Sequence, residues 1–265
     1  MNYKEILSAT EQIVRSVGED VERKRREGAL VVEAKGHNDF VTQMDKYSEQ
    51  QLVAQLERLL PEAGFITEES TRTERAEVYN WIVDPIDGTT NFIHGVAPYC
   101  ISVALAEGDK IVVAVVYEMV HSEMFTASLG GGAFLNGRPI CVSDAQTVDQ
   151  SLLVTGFPVY DLSRADKFLS AIEDLMHNVH AVRSIGSAAA DLAYVAAGRY
   201  DAFFEYSLKP YDVAAGALLV TEAGGKVTDF AGGDNYLFGR EIIASNKHNY
   251  GEFAQIVASH MCNTK

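Results

Sequence analysis

The sequence predicts one chain with two unlike halves, an α+β half followed by an α/β half, and two observations predict it. Over residues 1–145, helical stripes give way to consecutive strand-like runs joined by tight turns, the order of an α+β fold with an antiparallel sheet. Over residues 146–265, strands and helices alternate, the order of an α/β fold with a mixed sheet. No internal repeat or low-complexity linker separates the halves, so they are expected to form one compact unit with a boundary near Val142 to Gln150.

The elements follow in order. Ile6, Leu7, Ile13, Val14, Val17 and Val21 form one apolar stripe at helical spacing. A second helix starts near Asp45, turns Leu52, Val53, Leu56, Leu59 and Leu60 inward, and ends at Pro61 and Gly64. Phe65 to Thr67 and Trp81 to Val83 are short strands running into Glu68-Glu69 and Asp84-Pro85. Ile101 to Ala106, Ile111 to Tyr117 and Glu123 to Ala127 read as strands, with a hairpin turn at Glu107 to Lys110. Gly130-Gly131-Gly132 reads as a loop and Asn136-Gly137 as a turn. Leu152 to Thr155 reads as a buried strand, Asp166 to Met176 as a helix, and Ser187 to Ala197 as an alanine-rich helix closed by Gly198. Ala202 to Glu205 is strand-like, and Asp212 to Ala223 is a helix opened by Asp212 and ended by Gly224-Gly225. Ile242 to Ser245 is a last strand, and Phe253 to Val257 a last helical turn or two.

The bulk numbers bound the function. At 47% hydrophobic and 22% charged residues over 265 positions, the chain can bury a proper core. The net charge of −15 argues against nucleic acid as a partner. The one basic run, Arg23-Lys24-Arg25-Arg26, sits between Glu22 and Glu27 on the first helix and reads as a solvated face. Three scattered cysteines, Cys100, Cys141 and Cys262, suit neither a disulfide framework nor a zinc knuckle. The first residues lack a signal-peptide core, and no run reaches the roughly 18 apolar residues of a membrane span. The expected setting is the cytoplasm, without membrane attachment.

The sharpest feature is Asp84-Pro85-Ile86-Asp87-Gly88-Thr89-Thr90. Each Asp-Pro or Asp-Gly pair alone would read as a surface turn. Together, at the end of an apolar strand, they can aim two carboxylates and the Ile86 carbonyl at one centre. Hard cations such as Mg²⁺ take oxygen ligands of this kind. Gly88 permits close approach of the backbone, and Thr89 and Thr90 can open a helix whose free N–H groups face an anion. Glu68-Glu69 closes another strand, and a cation would relieve the repulsion of whichever glutamate faces it. Asp212 and Asp45 stand at predicted helix starts, where capping is the ordinary use of aspartate. A chain this acidic repels a phosphate ester unless bound cations invert the local field.

Taken together, these segments resemble the inositol monophosphatase family, lithium-sensitive Mg²⁺-dependent phosphatases. The resemblance covers nearly the whole chain. It is carried by Asp39-Phe40-Val41-Thr42-Gln43-Met44-Asp45, Phe65-Ile66-Thr67-Glu68-Glu69-Ser70 and Trp81 through Phe92. Gly132-Ala133-Phe134-Leu135-Asn136-Gly137, Asp212-Val213-Ala214-Ala215-Gly216 and Glu222-Ala223-Gly224-Gly225 continue it.

The resemblance implies a layered α-β-α-β-α sandwich, a homodimer, and two or three Mg²⁺ ions per site. Glu68, Asp84 and the Ile86 carbonyl would hold the first ion. Asp84 would bridge to a second held by Asp87 and Asp212, and a third would lean on Glu68. Asp45 and Thr89 would orient and help deprotonate the attacking water, with Glu69 behind them or binding a water. Backbone N–H groups of Gly88 and Thr89 would meet the phosphate. Gly186, Ser187, Ala188 and Glu205, with Asp87, would touch the alcohol part of the substrate. The expected activity is hydrolysis of a small polyol phosphate, with inositol monophosphate first. Fructose 1,6-bisphosphate, histidinol phosphate or a nucleotide 3′-phosphate are the alternatives, and a non-enzymatic RNA- or assembly-binding role is the reading from another class. Thr90-Asn91-Phe92 favours the inositol branch, since relatives acting on adenosine phosphates carry Lys-Glu-Phe there. The chain departs from the family pattern at Tyr211, where Trp is usual, at Pro98, in a short segment between Lys35 and Asp45, and at Lys209-Pro210 beside the expected substrate wall.

Overall fold

The computed structural model describes residues 1–28, 30–36 and 39–262. The segment read as short between Lys35 and Asp45 passes through His37 and Asn38, which lie outside the described residues. The first part of the chain forms helices α1 (Tyr3–Glu27) and α2 (Gln43–Leu59), with the hairpin β1 (Val32–Gly36) and β2 (Asp39–Thr42) between them. There follow β3 (Gly64–Thr67), β4 (Tyr79–Asp87), α3 (Thr89–His94), β5 (Cys100–Glu107), β6 (Lys110–Glu118), β7 (Glu123–Ser128), β8 (Gly132–Leu135) and β9 (Arg138–Ile140). A 3₁₀ turn at Val148–Gln150 leads to β10 (Leu152–Thr155), α4 (Ala165–Asn178), β11 (Ala181–Arg183), α5 (Ala188–Ala196) and β12 (Ala202–Tyr206). The chain closes with α6 (Pro210–Glu222), β13 (Lys226–Thr228), β14 (Glu241–Ser245) and α7 (Tyr250–Met261).

Two sheets organise the molecule. The larger has seven strands in the order β3-β4-β5-β6-β7-β8-β9, and the smaller has five in the order β11-β10-β12-β14-β13. Helices α1 and α2 bury Val14, Val17, Val21, Leu52 and Leu56 against one face of the large sheet, with Trp81, Val103 and Val115. Helices α5 and α6 fill the space between the sheets, against Ile82, Ala104 and Val116 on one side and Val154, Phe203 and Ala244 on the other. Helices α4 and α7 cover the far face of the small sheet through Phe168, Leu175, Phe253 and Val257. This is the five-layer α-β-α-β-α arrangement. Each fully buried Val, Leu or Phe in these seams contributes about 1.5–3 kcal/mol.

The middle layer explains the alanine-rich composition of α5 and α6. A helix between two sheets is buried all round and has no polar face to keep. It must also be thin. Ala188, Ala189, Ala190, Ala193, Ala214 and Ala215 are all buried there, and a Cβ on Gly216 would sit 2.4 Å from the Leu192 side chain.

The large sheet departs from a pure antiparallel ladder at one edge. Strand β3 runs parallel to β4, with Thr67 opposite Val83, whereas the other pairs are antiparallel. Parallel neighbours need a long connection, and residues 68–78 supply it. Because β3 and β4 point the same way, the Glu68-Glu69 turn and the Asp84–Asp87 segment emerge at the same end of the sheet. A hydrogen bond from Glu68 N to the Val83 carbonyl, 3.3 Å long, ties them. Likewise β10 and β12 are parallel, so Gly156 and Ser207 leave the small sheet on one side.

Several elements were not predicted: β1, β2, β8, β9, β11 and β13. All are five residues or shorter, and most lie at sheet edges, where alternation is weak. Gly132, expected in a loop, opens β8 instead. Helix α7 is longer than a turn or two. Strand β4 extends through Asp87 rather than ending at Val83, with an irregularity between Asp84 and Asp87 that absorbs Pro85.

The basic run is also not simply solvated. Arg23 pairs with Asp20 and Glu27, and Arg26 with Glu22. Lys24 lies over Tyr47, while Arg25 stacks on Phe92 and Tyr99 and donates to the Phe92 carbonyl at 3.2 Å. Aromatic faces of α2 and α3 claim two of its four cations, docking α1 onto the layer that carries the Asp84–Thr90 segment. Among the described residues no helix is long and apolar enough to cross a membrane.

Candidate metal centre and substrate cavity

Three carboxylates meet where the ends of the two sheets face each other. Asp84, Asp87 and Asp212 each offer an oxygen within 4.8 Å of the others. Asp84 and Asp87 come from the last turns of β4. The intervening Ile86 is buried, and its N–H donates to Asp84 Oδ1 at 3.1 Å. Asp212 comes from α6, but not as the helix opener expected. Pro210 takes the first position and Asp212 the third, so its carboxylate reaches back to the Lys209 N–H at 2.7 Å. Proline fits the first turn because its missing N–H would have had no helical partner there. Asp45 has the same placement in α2. Thr42 is the cap, and Asp45 Oδ2 accepts from Thr42 N at 2.8 Å and Thr42 Oγ1 at 2.6 Å.

The other oxygen of Asp45 faces the centre. Thr89 Oγ1 lies 3.2 Å from Asp45 Oδ1 and 3.0 Å from the Ile86 carbonyl. Thr89 is the first residue of α3, and Gly88 before it has φ +90°. A Cβ at position 88 would meet the Gly186 carbonyl at 3.0 Å and the Pro98 carbonyl at 3.2 Å, so only glycine fits.

Glu68 lines the same cavity as Asp84, Asp87, Thr89 and Asp212 and hydrogen-bonds Asp84, although it lies outside the three-carboxylate cluster. Glu69 does not line the cavity. Its N–H donates instead to Glu49 Oε2 at 2.7 Å, and Thr71 N donates to Glu49 Oε1 at 2.7 Å. Glu49 is fully buried on α2, one turn beyond Asp45, and holds the turn that presents Glu68. Sequence reasoning missed it. Its only signal is the i, i+4 spacing that puts it on Asp45's face.

Electrostatics show what the centre lacks. Burial, then Glu68, Asp87 and Asp212, push the Asp84 carboxyl well above the usual carboxylate range. Burial and the charge of Asp87 do the same to Asp212. Asp87 is pushed to about 6 by burial, although hydrogen bonds from Ser187 and the Ala189 N–H oppose the shift. No lysine or arginine lines either adjoining cavity among the described residues. Like charges packed this closely call for an external cation. The all-oxygen donor set suits a hard divalent ion, so the residues present fit Mg²⁺.

A second cavity opens beside the first, sharing Asp87, Val159, Tyr160, Gly186 and Asp212 with it. The expected substrate contacts Gly186, Ser187, Ala188 and Glu205 all line it. Ser187 Oγ donates to Asp87 Oδ2 at 2.6 Å, and Ala189 N donates to the same oxygen at 2.7 Å, which anchors the start of α5 to the metal-ligand candidate. Asn91 braces both walls, its side-chain N–H₂ donating to the Ile185 carbonyl at 2.6 Å and the Pro98 carbonyl at 2.8 Å. Glu205 is buried against Gly156 so closely that a Cβ there would overlap its carboxylate. Burial, Asp191 and Asp212 raise its proton affinity well above normal. The remaining wall was not foreseen. Phe157, Val159 and Tyr160 come from the connection after β10, and the ammonium of Lys209 lies 5.7 Å from the centre of the Tyr160 ring.

Comparison with known proteins agrees with this architecture. The family model described as "Inositol monophosphatase family" matches residues 2–261. Nus factor SuhB of Pseudomonas aeruginosa is 40% identical over 262 residues, 97% of each chain. The crystal structure of extragenic suppressor protein suhB from Bartonella henselae superposes with a TM-score of 0.91 at 37% identity, covering 96% of this chain and 98% of that one. An IMPase of Thermotoga maritima superposes with a TM-score of 0.88 at 33% identity, covering 96% and 97%. A five-layer α-β-α-β-α fold, an acidic cluster suited to divalent cations and a match along almost the full chain lead to one conclusion: the protein belongs to the inositol monophosphatase family.

Proposed function

We propose that the protein is a Mg²⁺-dependent phosphomonoesterase that hydrolyses a small polyol phosphate, with inositol monophosphate the first candidate. The observation that carries this reading is the cluster of Asp84, Asp87 and Asp212, three carboxylates within 4.8 Å of one another with no lysine or arginine among the described residues that line the cavity. Glu68, Asp84, Asp87, Asp212 and the Ile86 carbonyl would hold two or three Mg²⁺ ions. When bound, such ions neutralise the ester's charge and acidify a water at neutral pH.

The chain's own groups supply the rest. Thr89 Oγ1, held between the Ile86 carbonyl and Asp45 Oδ1, orients the attacking water and passes its proton to Asp45. Glu69 contributes through its backbone link to Glu49, which sets the turn bearing Glu68. The N–H groups of Gly88 and Thr89 open α3 toward the phosphate. Asp87, Gly186, Ser187, Ala188 and Glu205 form the pocket for the alcohol, which leaves with a proton from solvent. Phosphoryl transfer asks for positioning and charge neutralisation, and this site offers both.

The test is phosphate release from myo-inositol 1-phosphate, fructose 1,6-bisphosphate, histidinol phosphate and a nucleotide 3′-phosphate, with and without Mg²⁺. Metal-dependent turnover is expected, highest on the inositol ester; no turnover on any of them would refute the reading. The cytoplasm and a homodimer are part of the same proposal.

The name Nus factor, carried by the Pseudomonas relative, favours a second reading in which the protein also serves an assembly. The basic run of α1 is a poor nucleic-acid surface, because its cations are spent on Asp20, Glu22, Glu27, Tyr47, Phe92 and Tyr99. Salt-sensitive RNA binding that disappears on replacing Arg23 and Arg26 with glutamine would support that role over catalysis alone.

A further inference from the structure

We infer that Ser207 is a specificity-determining residue, its hydroxyl reading a free hydroxyl group on the alcohol part of the substrate. The inference rests on the phosphomonoesterase reading above and narrows its substrate class to polyol phosphates.

Three observations meet at this residue. Ser207 has φ +72°, in the left-handed region that costs any residue with a Cβ. Its side chain is buried, and its Oγ has no hydrogen-bond partner among the described residues. It lines the second cavity beside Glu205, Ser187 and Asp87.

The backbone around it explains how the strain persists. On one side, Tyr206 is held in β12 by pairing with Glu241. On the other, Leu208 N donates to the Arg240 carbonyl at 3.3 Å, and Lys209 N is tied to Asp212. The chain must turn from strand to helix between these fixed points, and a left-handed residue makes the turn. Glycine would make it without strain. Serine adds a strained backbone and an unpaired buried hydroxyl, two costs with no return inside the protein. Both find a return if the hydroxyl's partner arrives with the substrate.

The neighbouring groups define that partner. Asp87 and Ser187 already satisfy each other at 2.6 Å. Glu205, which accepts from the Gly156 N–H, and Ser207, whose Oγ is occluded and unpaired, line the same cavity. A substrate hydroxyl donates one hydrogen bond and accepts another, which matches a carboxyl group beside a serine hydroxyl. An aryl or simple alkyl leaving group would leave Ser207 unpaired.

The test compares two esters on Ser207→Gly and Ser207→Ala enzyme: myo-inositol 1-phosphate, rich in hydroxyls, and phenyl phosphate, which has none on its leaving group. The glycine variant removes hydroxyl and strain together; the alanine variant removes the hydroxyl alone. Both variants are expected to lose about five- to thirty-fold in kcat/KM on the inositol ester and less than about twofold on phenyl phosphate. Ser207→Gly should also melt at a higher temperature than wild type, so that loss of turnover is separated from loss of fold. An unchanged rate of Ser207→Gly on the inositol ester, or equal losses on both esters, would overturn the inference while leaving the phosphatase reading intact. Failure of the wild type to hydrolyse either ester in Mg²⁺ would overturn that reading and this one with it.

Discussion

The floor of the site and its wall are built on opposite plans. The floor, Asp84 to Thr90, takes most of its candidate ligands from seven consecutive residues at the end of one strand, and Asp84 Oδ1, Asp87 Oδ2 and Thr89 Oγ1 each have a partner. The wall collects Phe157, Val159 and Tyr160 from the connection after β10, Glu205 from the end of β12, and Ser207 and Leu208 from the connection that follows it. Phe157, Val159 and Tyr160 are exposed at its rim, and Ser207 is strained and unpaired. A floor fixed by a strand end holds chemistry in place. A wall assembled mostly from two connections can change its selectivity without disturbing that chemistry.

Substitutions can break this contrast. The largest effect is expected at the floor. Asp84→Asn should lower Mg²⁺-dependent phosphate release by about a thousandfold or more. The metal-free protein should stay as stable or gain stability, because a crowded buried charge is gone. Parallel turnover assays and thermal melts check both, and a variant near the normal rate would remove Asp84 from the centre.

Beneath the floor, Glu49→Gln should weaken Mg²⁺ binding by about ten- to a hundredfold, since a buried group that fixes the Glu68 turn acts as strongly as a ligand's direct partner. A Mg²⁺ titration of activity reads it. An unchanged half-saturation point would mean that the turn holds itself.

At the wall the effect should be smaller and of a different kind. Tyr160→Ala should raise KM by about three- to tenfold and leave kcat nearly unchanged, the signature of binding shared equally by substrate and transition state. A fall in kcat with constant KM would move Tyr160 from the wall into the catalytic floor.

The smallest effect concerns pH. In the folded, metal-free protein Asp87 titrates at about 6, above its ordinary 3.8. The folded state therefore holds the proton more tightly between those values. Its stabilising contribution is complete below pH 3.8 and is lost as pH rises through 6. Asp84 and Asp212 shift in the same direction and extend the loss upward. The melting temperature without metal should fall from pH 5 to pH 8, by about 2–4 °C for each kcal/mol. Mg²⁺ should restore more at pH 8 than at pH 5, because it competes with protons. A metal-free melting temperature that rises over this range would show that the cluster does not carry the strain assigned to it.

How much of this could be read in advance depends on how local each feature is. Helices α1 and α2, strands β5 to β7 and the Asp84–Thr90 turn are written in spacing that neighbouring residues fix. The sequence reading places the start of α2 three residues late, at Asp45, whereas Thr42 is the cap and Asp45 reaches back to it. Short edge strands such as β9 and β11 carry too few alternating residues to register. Glu49 is invisible as a functional residue, because a glutamate on an amphipathic helix ordinarily faces water. Arg25 was misjudged for the same reason, since its aromatic partners Phe92 and Tyr99 lie about seventy positions away.

The amino-acid order by itself determined the two-part architecture and the acidic, oxygen-donor character of the site, because hydrophobic period and adjacent carboxylates act over a few residues. Only the tertiary structure decided that β3 and β4 run parallel, that Asp212 joins Asp84 and Asp87, and that Ser207 reaches the cavity with its hydroxyl unpaired. Those outcomes come from packing two sheets around a thin alanine layer, which brings distant strand ends together.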